Sequence, residues 1–339
     1  MRVAVDVMGT DRGPAPIVAG AIAAARKHSC TVVLVGDESE IRMLVEKEMN
    51  CPPNIEIHHA SQVVEMCESP SEALRKKKDS SVAVASRLVK EKYCEVAICP
   101  GSTGAAVASA LLIIGRIPGV DRAAIATPIP NLTGTTVLMD SGANVDSKPR
   151  HLVQAAVMGS WYAKLILGVE EPRVGLLNVG EEESKGNEQT KATFPLLKKR
   201  TDIHFVGNVE GRDLNNGEVD VMICDGFVGN IALKLSEGLA SAMLQFLRAA
   251  VMEAGIIAKL GAVLLKPAVR ILKKRVDPSV YGGAPLLGVN GGFIICHGSS
   301  DAVAIENAVR VAVDFAQKDV VNRIRESLER EGIEENDKD

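Results

Sequence analysis

Aromatic side chains are scarce in this chain: they make up 3% of its 339 residues, and Trp161 is the one tryptophan. So few rings exclude a stacking platform for nucleic-acid bases. The formal net charge of -4 leaves no basic footprint over the whole chain, which argues again against a nucleic-acid partner. Nucleotide fingerprints are missing too. No G-x-G-x-x-G follows the first strand-like run and no G-x-x-x-x-G-K-[ST] occurs, so dinucleotide and P-loop readings lose their support. The seven cysteines are odd in number and never spaced C-x-x-C, as expected of reduced thiols in a cytosolic protein. Cys99 and Cys224 each close an apolar run and have no nearby histidine, so they read as small buried hydrophobes rather than nucleophiles. No carboxylate–histidine set has metal-ligand spacing, and the adjacent His58 and His59 fall on opposite faces of a strand. Neither a metal nor a cofactor is expected. No apolar run reaches the ~18 residues of a spanning helix, and Met1-Arg-Val-Ala-Val-Asp6 leads straight into a strand without a signal peptide. The expectation is a cytoplasmic, soluble chain, attached to a membrane peripherally if at all.

What is abundant is aliphatic. Hydrophobic residues reach 46%, dominated by the Val, Ile, Leu and Ala that buried parallel strands and their covering helices prefer. Strand-like runs at residues 3–7, 31–35, 55–58, 96–99, 136–139, 174–178, 204–206 and 219–224 alternate with helix-period segments at 17–26, 38–48, 81–92, 105–114, 149–167 and 187–199. This alternation predicts a three-layer α/β/α fold with a mostly parallel, doubly wound sheet. No linker divides the chain, so residues 1–339 read as one α/β domain, undivided or bilobed. Ser299-Ser300-Asp301 is expected to cap a single amphipathic helix through about residue 329, with Val303, Val311, Phe315, Ile324 and Leu328 on or near one face. The tail 331–339 is expected to fray.

Five of the strand-like runs end in loops of unusual chemistry, expected to share one edge of the sheet. They are Asp6-Val-Met-Gly-Thr-Asp-Arg-Gly13, Pro100-Gly-Ser-Thr-Gly104, Asp140-Ser-Gly-Ala-Asn-Val-Asp-Ser-Lys148, residues 180–188, and Asp225-Gly-Phe-Val-Gly-Asn230. Glycines let backbone approach a ligand, and Ser, Thr and Asn donate hydrogen bonds to its oxygens. The most informative stretch is Gly175-Leu-Leu-Asn-Val-Gly-Glu-Glu-Glu-Ser-Lys-Gly-Asn-Glu188. Its polar half holds one cation, Lys185, where a strand gives way to a helix whose free N–H groups favour an anion. Asp140 and Asp225 read as residues that satisfy loop N–H groups rather than as magnesium ligands.

Together these loops resemble the bacterial phosphate acyltransferases of glycerophospholipid synthesis over nearly the whole chain. The stretches that carry the resemblance are Ala4-Val-Asp-Val-Met-Gly9, Thr103-Gly-Ala105, Asp140-Ser-Gly-Ala-Asn144, residues 175–188, Gly207-Asn-Val-Glu-Gly-Arg-Asp213, residues 225–230 and His297-Gly-Ser-Ser300. Departures stand at Thr10, Arg12 and Ser102, where the family usually has Gly, His and Asn. The resemblance implies a fold similar to isocitrate and isopropylmalate dehydrogenases and to phosphotransacetylase. It implies that inorganic phosphate attacks an acyl thioester on acyl carrier protein, giving acyl phosphate for a downstream glycerol-3-phosphate acyltransferase. Such a reaction needs a bound dianion, a stabilised oxyanion and exclusion of water, but no protein nucleophile. On that reading Lys185 binds phosphate and stabilises charge, while Asn144, Asn187 and Asn230 donate to phosphate or oxyanion oxygens. Thr103 and Gly104 present a hydroxyl and a backbone N–H. His297 protonates the departing thiolate or merely caps and packs. Asp6, Gly9, Ser102, Asp140, Gly186, Asp225 and Gly229 complete the candidate substrate site. Two competing functions are an NAD-linked decarboxylating dehydrogenase of similar fold and a non-catalytic membrane scaffold. The first lacks an arginine cluster and metal spacing, and the second has no use for an N–H-lined cleft.

Residues 255–275 stand apart. Lys259, Lys266, Arg270, Lys273 and Lys274 fall within an arc of roughly 100° on a helix, opposite an aliphatic side that includes Leu260, Leu264 and Ile271. Pro267 is expected to kink or split this segment. Three readings stay open: contact with an anionic membrane surface, docking of the acidic carrier protein, or burial in a homodimer interface. The second basic run, Arg75-Lys-Lys-Lys78, reads as a carrier contact or a solvated loop.

Overall fold

The computed structural model describes residues 1–48, 50–65 and 68–336, with the side chains of Ser71, Lys273, Lys274, Val276, Pro278 and those from Arg330 onward outside that description. The strands are β1 (Arg2–Asp6), β2 (Thr31–Gly36), β3 (Ile55–His59), β4 (Val96–Pro100), β5 (Ala124–Ile125), β6 (Thr127–Pro130), β7 (Thr135–Met139), β8 (Arg173–Leu177), β9 (His204–Val209), β10 (Val221–Ile223), β11 (Ala284–Leu287) and β12 (Gly292–Cys296). The eight expected strands are all present, but in two sheets rather than one. A seven-stranded sheet runs β3-β2-β1-β4-β12-β11-β5, and a five-stranded sheet runs β6-β7-β10-β8-β9. The α/β alternation fixes that strands are parallel, not which strands pair, so the division was invisible to it.

Within the first sheet β3, β2, β1, β4 and β12 are mutually parallel, and within the second β7, β10, β8 and β9 are. The exceptions are antiparallel: β11 beside β12 and β5, and β6 beside β7. These short pieces, with Pro128, Pro130 and Pro285 among them, lie where strand periodicity is weakest.

Helices cover both faces. One continuous core joins Val5, Ile98, Met139 and Leu176 of both sheets to Met158, Tyr162, Ile305 and Val309 of the helices Pro149–Tyr162 and Ala302–Gln317. On the other face of the larger sheet, Ala97 and Phe293 meet Val82, Leu88 and Ala106 of the helices Ser81–Lys90 and Thr103–Ser109. Each fully buried aliphatic side chain contributes ~1.5–3 kcal/mol.

Three expectations about helices need correction. The C-terminal segment is two helices, Ala302–Gln317 and Val320–Asn336, because Asp319 turns to φ 52 between them. Asp301 does cap the first, accepting from the Ala304 N–H at 3.0 Å, yet Val303 is 53% exposed rather than on the buried face. The second is helical to Asn336, and residues 337–339 of the tail lie outside the described residues. Of the expected kink or split at Pro267 the split does not occur, since the helix runs unbroken over Gly255–Val276. Its missing N–H falls in an exposed stretch, where solvent can satisfy the freed carbonyl. This helix forms a hairpin with the helix Gly226–Glu253, turning at Gly255 with φ 85.

Candidate functional site

The five polar loops all leave the carboxyl ends of parallel strands, but they divide between the sheets: those after β1 and β4 on the larger, those after β7, β8 and β10 on the smaller. The single shared edge is therefore replaced by two sets, one on each sheet. On the larger sheet Asp6 ends β1 with 4% exposure and accepts the Met8 N–H at 3.0 Å. Burial pushes its pKa up to about 7, against the pull of Ser81 and the Met8 N–H. Ser102 caps the helix that Thr103 and Gly104 open, with its Oγ 3.4 Å from the Ala105 nitrogen. Asp6, Gly9, Ser81, Gly101 and Ser102 line a void of about 10 Å³, so the two loops close over room for little more than one water.

The loop after β12 joins this set, because the Asp11 N–H donates to the Gly298 carbonyl at 3.0 Å. His297 is exposed there, and its Nδ1 accepts the Ser299 N–H at 3.1 Å. A neutral ring with Nδ1 accepting carries its proton on Nε2, which becomes a donor. His297, Arg12, Ser299 and Ser300 share a cavity of about 380 Å³ with Glu237 from the long hairpin.

On the smaller sheet, Asp140 organises its loop. Its Oδ1 accepts the N–H groups of Ile125, Gly142 and Ala143, and its Oδ2 accepts both the backbone N–H and the Nδ2 of Asn144. Burial still pushes the Asp140 pKa up. Since Ile125 belongs to β5, this carboxylate also ties the two sheets together. Asn144 spends its other amide hydrogen on the Ala123 carbonyl at 2.7 Å, so both of its donors are occupied. Asp225 caps the long helix through Phe227 N–H at 2.9 Å and takes the Ser147 N–H at 2.7 Å. Both aspartates thus spend their oxygens on N–H groups. Gly229 is obligatory for a different reason: a Cβ there would lie 1.9 Å from the Asp140 carbonyl oxygen. Asn230, one residue on, packs against Gly142.

The loop after β8 is the electrostatic counterpart. Glu181 meets Arg212 at 3.6 Å and Glu183 meets Lys198 at 2.5 Å, whereas Lys185 is exposed and has no ion-pair partner among the described residues. Asn187 caps the following helix Glu188–Lys198 by accepting the Thr190 N–H at 2.9 Å. Gly186 sits at φ 104, and a Cβ there would lie 2.1 Å from Thr190 Oγ1. Gln189 Nε2 donates to the Ser147 carbonyl, which links this helix to the Asp140–Asp225 knot.

The structure therefore brings Asp140, Asn144, Asp225, Gly229 and Asn230 into one assembly, with Gly186 and Asn187 beside it. Lys185 stands free at its rim. Asp6, Gly9, Ser102, Thr103 and Gly104 form the set on the larger sheet, with His297 sharing a cavity with Arg12. Lys259, Leu260, Leu264, Lys266, Arg270 and Ile271 belong to the hairpin, far along the chain from these loops; Leu260 is 62% and Leu264 82% exposed. The side chains of Lys273 and Lys274 lie outside the described residues. The sequence reading missed Asn178 and Asn208, which hold the Lys185 loop by its carbonyls. An asparagine after Gly207 inside a strand pattern was the available signal of irregular pairing.

Comparison with known proteins gives the family. Residues 1–323 match a family model described as "Fatty acid synthesis protein". A "Phosphate acyltransferase" of Pelotomaculum thermopropionicum is 50% identical over 329 residues, covering 97% of this chain and 95% of its own. Another, from Geobacter sp. (strain M21), is 50% identical over 97% of this chain and 93% of its own. Among solved structures, a phosphotransacetylase from Streptococcus pyogenes superposes with a TM-score of 0.66 at 17% identity, over 93% of this chain and 94% of that one. At that identity the likeness speaks for the fold alone. With an unpaired cation on an N–H-rich edge, a family match over nearly its full length and relatives at half identity, the chain belongs to the phosphate acyltransferase family.

Proposed function

We propose that this acyltransferase catalyses reversible phosphorolysis of acyl-[acyl carrier protein], releasing acyl phosphate and free carrier for phospholipid synthesis. The observation that carries the reading is the loop at 180–188, where Lys185 keeps an unpaired charge beside a capped helix start. A phosphate oxygen attacks the thioester carbonyl, forming a C–O bond, and the carbonyl electrons collect on oxygen. Lys185 and the loop N–H groups offset the charge of the dianion and of that oxyanion. Collapse re-forms the carbonyl and breaks the C–S bond, and the thiolate takes a proton, for which Nε2 of His297 is the candidate donor. Asn144 orients Asp140 rather than meeting phosphate, since its donors are spent; Asn187 and Asn230 remain the side-chain donors at the rim.

The buried Cys99, Cys224 and Cys296 do not compete for the acyl group. Burial pushes the Cys296 thiol up to about 12 and also raises those of Cys99 and Cys224. A thiolate nucleophile is thereby suppressed.

The enzyme works in the cytoplasm, attached peripherally to an anionic membrane and paired as a homodimer, on this reading. The support is the hairpin: Phe246, Ile257 and Leu264 are 66%, 82% and 82% exposed, more apolar surface than a lone helix pair leaves to water. No helix among the described residues is long and apolar enough to cross a membrane. Product handed over at that surface would reach a glycerol-3-phosphate acyltransferase. The test is phosphate-dependent release of free carrier thiol from an acyl-carrier substrate. Thiol release that is indifferent to phosphate would overturn the function.

A further inference from the structure

The loop that carries Lys185 hangs from two side-chain amides. Asn178, just past β8, donates from Nδ2 to the Lys185 carbonyl at 3.1 Å. Asn208, on β9, donates from Nδ2 to the Glu182 carbonyl at 2.9 Å. The two are coupled, because the Asn178 N–H donates to the Val209 carbonyl at 2.7 Å. Asn208 is 5% exposed, although three residues after the half-buried Phe205 strict alternation would turn it outward. A register shift explains the inversion: Val174 pairs with Phe205 but Gly175 pairs with Gly207, leaving Val206 unpaired. A bulge of this kind re-aims one side chain at the cost of ladder regularity. Here it aims an amide into the loop, and leaves its Oδ1 buried without a partner. Burying an unsatisfied acceptor costs ~1–3 kcal/mol, so the arrangement is not the cheapest way to end a strand.

We infer that Asn208 and Asn178 are positioning residues that set where Lys185 stands over the phosphate. The inference rests on Lys185 as the phosphate cation, as proposed above. Neither amide touches substrate. Each fixes a carbonyl on one side of the Glu182–Lys185 turn, which is itself closed by the Lys185 N–H to the Glu182 carbonyl at 3.0 Å. Without them the turn is free to swing, and the ammonium loses its preorganised place.

The test varies phosphate at saturating acyl thioester in Asn208→Leu and Asn178→Ala, each alone and combined with Lys185→Ala. Losing one such bond is expected to raise the KM for phosphate about tenfold, with the thioester KM unchanged. In the Lys185→Ala background either substitution should add less than about twofold, since both act through that side chain. Asn178 is only half-buried, so its alanine variant keeps the test open if Asn208→Leu fails to fold. Unchanged phosphate saturation in folded variants, or effects that add fully to Lys185→Ala, would overturn the clamp. If Lys185→Ala itself saturates normally with phosphate, the assignment of Lys185 fails instead.

Discussion

Replacing Lys185 with alanine removes one positive charge and leaves the loop's hydrogen bonds intact, because those run through backbone atoms and the amides of Asn178 and Asn208. The size of the effect depends on how dry the site becomes. Two unit charges about 4 Å apart attract by ~1 kcal/mol in water and ~4 kcal/mol at the effective dielectric near a protein surface. These bounds correspond to roughly fivefold and roughly a thousandfold in rate. Lys185 is exposed in the unliganded chain, so the low bound applies unless bound substrate covers it. Loss of one charge-stabilising group in a closed site costs ~100-fold or more, and at least ~100-fold is the expected fall in phosphorolysis. The assay is initial-rate thiol release with phosphate varied, alongside thermal unfolding to show an unchanged fold. Activity within about threefold of the parent, with normal phosphate saturation, would refute both the role of Lys185 and the claim that the site closes.

Other outcomes follow from separate features. Asp6 has a pKa raised from the carboxylate range to about 7 by burial, so the folded state holds a proton that the unfolded chain has lost. Its contribution to stability is full below ~4 and falls as pH rises through about 7; Asp6→Asn should therefore gain on the parent with rising pH in unfolding curves, by at most ~4 kcal/mol. Equal pH slopes in the two proteins would contradict the buried, protonated carboxyl. Gly229→Ala places a Cβ 1.9 Å from the Asp140 carbonyl and should cost ~1–3 kcal/mol or more, whereas Gly238→Ala, with nothing within 4 Å, should be neutral or stabilising in the same denaturation assay. Single replacement of Cys99, Cys224 or Cys296 by alanine should leave turnover measurable, and mass spectrometry of quenched reactions should find no acyl-cysteine. Each basic residue near an anionic leaflet contributes ~1 kcal/mol, so the hairpin should give salt-sensitive vesicle binding that Leu260→Glu, Leu264→Glu and Ile271→Glu together abolish. Salt-indifferent co-sedimentation in a variant of unchanged solution mass would return this face to the subunit interface.

How much of this was legible beforehand varies with the range of the interaction. The strands near residues 3–7 and 96–99 show in the sequence because burial on both faces demands unbroken aliphatic runs. The cap at Asp301 was legible for the same local reason, since it bonds the N–H three residues on, whereas the like cap at Asn187 was read only as a ligand donor. Sheet membership was not, since β7 pairs with β10 across more than eighty residues of chain, and no periodicity carries that information. The break at Asp319 was hidden too, because one residue at φ 52 leaves the helical spacing on either side intact.

The site divides along the same line, and the division bears on chemistry. Glycine-rich polar loops after strands were readable, but the partners of each polar side chain were not. Asn144 and Asn187 look alike in sequence, flanked by small residues in polar loops. In the fold Asn144 has both amide hydrogens committed to Ala123 and Asp140, while Asn187 accepts the Thr190 N–H through Oδ1 and keeps its amide hydrogens for the rim. What distinguishes them is the cross-sheet contact of Asp140 with the Ile125 N–H at 3.1 Å, a long-range bond that draws Asn144 inward. A buried carboxylate that gathers five N–H groups orders the loop after β7, and Lys185, on the amide-hung turn after β8 of the same sheet, has no ion-pair partner among the described residues.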